Sequence, residues 1–299
     1  MFKFDMQNKV EKKELLPPIP PPPPPPPPSR LGLSNPKISE MPCESTPTVC
    51  KNSHFSEISR KIGHLYMDKH LNIVSFCKPV LPVIQEGPCC GIVALSMASQ
   101  FFPNRHKTVE EILAAAKLLE FTKKGEMFSA FNMATLASSV IGCEASVISN
   151  LSSNSHDILL NICRGYPVLV PYDADKNHEP CLKRGQNAHW AILCGMCLFV
   201  PDDHSSVLDK FTADSEMSNV YNMVSGTETE EILNFASETA ILAYQGKSKH
   251  FGLWDLDALI QSNNNLVEVS NKYSLDDMII PSCGLLELND KAVLLKEKM

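Results

Sequence analysis

The sequence predicts an α+β fold, and three features carry that expectation. Helical patterns dominate residues 55–163, apolar strand-like runs dominate from Pro167 onward, and a proline-rich head over residues 1–54 stands apart from both. The organisation expected is therefore a disordered head, 1–54, and one domain, 55–299, with a mobile insertion near 201–237.

The head begins with sixteen mixed polar residues and continues into Pro17–Pro28, where eleven of twelve residues are proline. Such a run can form neither a helix nor a central strand, and adopts an extended polyproline II rod. The rod serves either as a stiff spacer or as a ligand for aromatic-lined grooves. Residues 29–53 are rich in Ser, Thr, Pro and Asn and read as disordered.

Order begins near Phe55, where Ile58, Ile62, Leu65 and Tyr66 recur at helical spacing. Leu71 to Val83 is apolar but broken by Pro79 and Pro82, so it reads as an extended lead-in. The run from Ile92 to Ala98 lacks Gly and Pro and predicts a buried helix starting at or just after Cys90. Thr108, with Glu110 and Glu111 behind it, caps a helix reaching about Leu119. Phe131, Met133, Leu136, Ala137 and Val140 share one face of the next helix. Cys143–Ile148 reads as a strand, His156–Cys163 as a helix stopped at Gly165, and Pro167–Pro171 as a buried strand. After a polar loop over 172–187, Ala188 opens an apolar strand towards Val200. Residues 201–237 are polar and acidic, and read as the insertion. Ile241–Gln245 and His250–Trp254 form a hairpin turned at Gly246-Lys247-Ser248. A last strand lies between Met278 and Met299.

Composition narrows the function. The chain has 299 residues, a net charge of -7 and a pI near 5.7, which argues against general nucleic-acid affinity. No apolar stretch reaches the roughly 18 residues of a membrane span, and the first residues lack a signal-peptide core. Eleven cysteines, an odd number without regular spacing, fit a reduced cytosolic protein. Cys194 and Cys197 have C-x-x-C spacing without a second pair, inside an apolar run, and read as structural.

The chemistry centres on Gln85-Glu86-Gly87-Pro88-Cys89-Cys90-Gly91. A cysteine at a helix N-terminus lies in the positive end of the backbone dipole, which favours the nucleophilic thiolate. Gly91 leaves room for a substrate backbone, and Gln85 can donate to an oxyanion. Glutamine, cysteine and glycine opening a helix is the layout of papain-like cysteine peptidases. Such an enzyme needs a base, and His189 beside Trp190 at the start of a strand is the best placed; His178, in a polar loop, is its rival. Asp255 follows a neighbouring strand and is the candidate to orient the base, with Asp257 and Asn263 as alternatives.

These residues, together with Gly125-Glu126-Met127-Phe128-Ser129, Pro171-Tyr172-Asp173, Asn177-His178-Glu179-Pro180-Cys181, Ala188-His189-Trp190, Gln245-Gly246-Lys247-Ser248 and Leu253-Trp254-Asp255, resemble the actin maturation protease family over roughly residues 60–283. The resemblance implies a papain-like fold related to bacteriocin-processing peptidases, with Cys90 as nucleophile. It implies removal of an N-acetylated first Met or Cys from immature actin, without a cofactor. The doubled Cys89-Cys90 departs from the family pattern. Because mature actin begins with acidic residues, a basic patch is expected near the scissile bond, and Lys183 and Arg184, or Lys123 and Lys124, are its candidates. The proline rod suggests profilin as a second partner. Two other readings share the scaffold: a non-catalytic profilin/actin adaptor, and a cysteine hydrolase or acyl-transfer enzyme acting on another protein.

Overall fold

The computed structural model describes Ile58, Lys61, Ile62 and residues 71–215, 217–223, 229–271 and 277–298. The proline-rich head lies outside the described residues, as does most of the first expected helix.

The fold is α+β, built among the described residues on one nine-stranded sheet: β1 (Leu71–Cys77), β2 (Glu144–Ser149), β3 (Val168–Asp173), β4 (Ala188–Pro201), β5 (Thr212–Ala213), β6 (Val220–Asn222), β7 (Glu238–Tyr244), β8 (Gly252–Asp255) and β9 (Lys291–Lys296). The longest strand, β4, is its spine. Its first half pairs with β3, its second half with β1, and β7 runs antiparallel along its other edge. Most of the remaining pairings are antiparallel, β1 with β6 being parallel.

Among the described residues, six α-helices with both ends described accompany the sheet: α1 (Cys90–Ser99), α2 (Val109–Leu118), α3 (Ala130–Ile141), α4 (Ser155–Cys163), α5 (Thr229–Phe235) and α6 (Leu256–Asn264). The first three cover one face, where Leu95, Ile112, Met133 and Leu136 pack with Trp190, Ile192 and Phe199. The last three cover the other, where Ile158, Ile232 and Leu259 pack with Tyr172, Leu193 and Met196. A strand buried on both faces carries an unbroken apolar sequence rather than an alternating one, which is what Ala188–Pro201 shows. A helical half followed by a strand-rich half was the sequence expectation. The structure instead threads β1 into the sheet ahead of α1 and places helices on both faces.

A bulge between Leu193 and Gly195 resets the alternation of β4. Before it, Trp190, Ile192 and Cys194 face the α1 side; after it, Cys197 and Phe199 do. The two cysteines of the C-x-x-C thus lie on the same buried side of a strand, and Cys194 Sγ donates to the Leu242 carbonyl at 3.5 Å.

Local signals explain several boundaries. Thr108 and Glu111 form a reciprocal capping box, with Glu111 N–H on Thr108 Oγ1 at 3.2 Å and Thr108 N–H on Glu111 Oε2 at 2.8 Å. Ser129 caps α3, which Gly142 ends in the left-handed region. Within 201–237 the described residues hold a 3-10 helix (Asp202–Lys210), β5, β6 and α5, and Asn72 Nδ2 donates to Asp202 Oδ1 at 2.8 Å.

Candidate active site

Helix α1 is apolar on all sides and buried from Gly91 to Ser99. It is therefore a core helix whose N-terminus meets the start of β4, where His189 and Trp190 lie. A cleft of about 310 Å³ opens there, lined by Gln85, Cys90, Glu126, Met127, His178, His189, Trp190 and Lys247 among others.

The two adjacent cysteines have separate environments. Cys90 starts α1, is partly exposed and lines the cleft. Cys89 is its N-cap, buried, and donates Sγ–H to the Glu86 carbonyl at 2.6 Å. Cys89 packs against Gly125, where an added Cβ would come within 2.9 Å of the Cys89 Cβ. Gly91 has a different role from the one its sequence suggests. An added Cβ there would meet Met133 Cε at 2.8 Å and Met127 Cβ at 3.0 Å, so this glycine fits α1 against its neighbours rather than admitting substrate.

Electrostatics set the resting state. Burial pushes the Cys90 thiol up to about 11, with the backbone N–H groups of Trp190 and Gly91 and the charge of Lys247 pulling the other way. Burial likewise lowers His189 to about 3, helped by the charges of His178 and Lys247. Both shifts favour the uncharged form, so thiol and imidazole rest neutral. The helix dipole alone favours a thiolate, but here desolvation is the larger effect.

Gln85 is held on two sides. Its backbone N–H donates to the Gly246 carbonyl at 2.8 Å, and its Nε2 donates to the Gly87 carbonyl at 2.8 Å. An amide nitrogen carries two hydrogens, so one remains available. Glu126 is a buried carboxylate that accepts N–H groups from Lys123 and Lys124 at 2.8 Å and Ile279 at 2.9 Å. It thereby ties the segment bearing Met278, another cleft residue, beside Met127. Burial opposes its ionisation, but those backbone donors together outweigh it and hold its pKa below the ordinary value.

His189 pairs across the sheet with Tyr172, their rings stacked at 5.8 Å. The His178 ring meets His189 edge-on at 5.8 Å, and the His178 carbonyl accepts the Tyr172 hydroxyl at 2.8 Å.

The structure brings Gln85, Cys90 and His189 into one cleft, and leaves three predicted residues elsewhere. Asp255 caps α6, its Oδ1 accepting the Ala258 N–H at 2.7 Å, and it does not line the cleft. The sequence held this signal, since an Asp opening Leu256-Asp257-Ala258 is an N-cap pattern. Of its alternatives, Asp257 lies in the first turn of α6, and Asn263 is a buried clamp donating to the carbonyls of Pro171, Leu288 and Lys291. Arg184 pairs with Glu268 on the surface, and the Lys183 backbone N–H binds Asp173 Oδ2. Neither lines the cleft. The lysine that does is Lys247, and its position in the hairpin turn gave no sign of which wall it would join.

Comparison with known proteins identifies the family. The family described as actin maturation protease-like, C-terminal domain, matches residues 80–197. The chain is 38% identical over 208 residues to the actin maturation protease of Xenopus tropicalis, covering 68% of this chain and 67% of that one. It is 37% identical over 224 residues to the Bos taurus protein (72% and 64%), and 37% over 216 residues to the Homo sapiens protein (70% and 61%). The chain thus spans about two thirds of the length of these relatives. A solved putative C39-like peptidase from Bacillus anthracis superimposes over 73% of this chain and 95% of its own, at 11% identity and a TM-score of 0.35, too distant to bear on the site. With six separate relatives above 30% identity carrying one name, the chain belongs to the actin maturation protease family.

Proposed function

We propose that this chain is a cysteine aminopeptidase that removes the N-acetylated first residue, Met or Cys, from immature actin in the cytosol. The observation that carries the reading is the convergence of Gln85, Cys90 and His189 on one cleft in a chain whose relatives are named actin maturation protease.

The chemistry follows from the neutral resting pair. Neutral His189 takes the Cys90 proton as the sulfur attacks the scissile carbonyl, forming the C–S bond. The negative charge moves to the carbonyl oxygen, where the free Gln85 N–H and the backbone N–H at the start of α1 stabilise it. Imidazolium then returns its proton to the leaving amine, the C–N bond breaks, and the shortened actin departs with a new N-terminus. Water, deprotonated by the same imidazole, hydrolyses the thioester and releases the acetylated residue. Generating the ion pair only as the bond forms requires no standing charge in an enclosed site.

The substrate side of the reading rests on Lys247. It lines the cleft, is exposed, and contributes its field to both Cys90 and His189. A cation there suits the acidic residues that follow the scissile bond in immature actin, the part first given to Lys183 and Arg184. Profilin, bound through Pro17–Pro28, would raise the local concentration of actin at the cleft. The deciding experiment is mass spectrometry of actin N-termini in cells lacking this protein. Retained acetylated Met or Cys, corrected by the wild-type chain and not by Cys90→Ala, is expected; normal actin N-termini would overturn the reading.

A further inference from the structure

The cleft beside Cys90 has an apolar part whose walls come from separate stretches of the chain. Met127 lies nearest the sulfur-bearing helix. An added Cβ on Gly91, the residue after Cys90, would lie 3.0 Å from Met127 Cβ and 3.1 Å from its Cγ, so this side chain runs along the start of α1. The Met127 carbonyl accepts Trp190 Nε1–H at 2.8 Å, which ties the same residue to the strand bearing His189. Buried Leu288 and half-buried Met278 join Met127 and Trp190 in the packing on this face of the sheet, and all four line the cleft. Met278 is held there through its neighbour. The Ile279 N–H donates to Glu126 Oε1 at 2.9 Å, the oxygen that also takes the Lys123 N–H at 2.8 Å. The charged lining has other origins, Lys247 in the β7–β8 turn and His178 in the loop between β3 and β4.

We infer that Met127, Met278 and Leu288 form the pocket that receives the side chain of the residue to be removed, and that Met278, its outer wall, sets which side chains fit. Position is the first reason. The sulfur attacks the carbonyl carbon of that residue, whose side chain is only one atom further away, so it must rest on the surface next to Cys90. Met127 against Gly91 is such a surface. Polarity is the second. The carboxylate of the group, Glu126, already accepts three backbone N–H groups, so a polar side chain entering here would leave water without gaining a partner from it. Compliance is the third. Methionine is unbranched, turns about three bonds and carries a polarizable thioether, so it fills irregular gaps. Two methionine walls can close around a short side chain or draw back from a long one, which suits Cys and Met alike. Branched, stiff walls would fit one length only.

This inference rests on the aminopeptidase reading of the cleft, and the test separates the two. The full chain and its Met278→Ala and Met278→Trp variants are given acetylated actin N-terminal peptides that differ only in the first residue: Met, Cys, or Gln, which is close to Met in size but polar. The wild type is expected to favour the Met and Cys peptides over the Gln peptide by at least about tenfold in kcat/KM. Met278→Ala removes the outer wall. It should lower kcat/KM about tenfold for the Met peptide and change it by less than about threefold for the Cys peptide, since only the longer side chain reaches that wall. Met278→Trp shortens the pocket, and should cost the Met peptide more than about tenfold while sparing the Cys peptide. Urea unfolding identifies a variant that does not fold, and the wild-type preference over Gln is read without either. A wild type that cleaves all three peptides equally, or a folded variant that changes the Met and Cys peptides by the same factor, overturns the inference and leaves the peptidase reading intact. A wild type that cleaves none of them overturns both.

Discussion

The neutral state of His189 has a thermodynamic signature that can be measured without any substrate. Its folded pKa, near 3, lies below the ordinary 6.5, so between those values the unfolded chain binds a proton that the folded one excludes. Stability from this group is fully present above pH 6.5 and is lost as pH falls towards 3. At pH 5 the unfolded imidazole is almost wholly protonated and the folded one almost wholly neutral, which costs about 2 kcal/mol relative to pH 7. His189→Gln is neutral at every pH and lacks this term. Urea unfolding of both proteins at pH 7 and pH 5 isolates it, because the other titrating groups are common to the two. With a slope of about 2–3 kcal/mol per molar urea, the wild-type midpoint should fall by roughly 0.7–1 M more than that of His189→Gln. A standing thiolate–imidazolium pair would reverse the sign, since its His pKa would lie above 6.5. Equal pH dependence in the two proteins, or a steeper loss in His189→Gln, refutes the neutral-pair argument.

Four further outcomes follow. Cys90→Ala should lose several orders of magnitude in turnover while Cys89→Ala keeps most of it; in the wild type, alkylation of Cys90 by iodoacetamide should climb with pH towards 11 instead of levelling off near neutrality, and a plateau below pH 8 would contradict the raised thiol pKa. Gln85→Ala should lose on the order of a hundredfold in kcat if its free N–H serves the oxyanion, and full activity would remove that role. Lys247→Ala should raise KM for peptides with Asp or Glu after the scissile bond more than for their Asn or Gln counterparts, an effect shrinking with added salt, whereas equal changes would exclude charge recognition. Gly91→Ala should destabilise the fold by on the order of 1–2 kcal/mol by crowding Met127 and Met133, measured as a lower urea midpoint, and an unchanged midpoint would show that those methionines yield freely.

Much of the framework was legible because local chemistry decides it. The apolar run after Cys90 makes a core helix, Thr108 with Glu111 makes a capping box, and Gly246-Lys247-Ser248 turns the β7–β8 hairpin. What sequence could not convey was which wall each polar residue joins. Lys183, Arg184 and Lys247 are equivalent as letters, yet only the last lines the cleft. Asp255 was placed beside the base by strand adjacency, but the capping demand of α6 is met by its carboxylate. His178 read as poorly mounted in a polar loop, because the turn around Asp175, whose Oδ1 accepts the Asn177 and Glu179 N–H groups, is visible only once its hydrogen bonds are seen. The Cys90 dipole argument had the right direction and the wrong rank, since the depth of burial is a tertiary quantity.

The wide sequence separation between β9 and its partner strands has a consequence for how the sheet closes. β9 joins β2 to β3, Glu144 pairing with Lys296 and Val168 with Leu294, while Leu71 must wait for Pro201. Contacts so distant in sequence form slowly and cannot form piecemeal as the chain emerges. Asn263, which takes the Lys291 and Leu288 carbonyls together with that of Pro171, locks β3 only after β9 has arrived. The edge of the sheet formed by β2 and β3 therefore closes only through a strand about 120–150 residues further along the chain, a long-range pairing expected to be among the slower steps of folding.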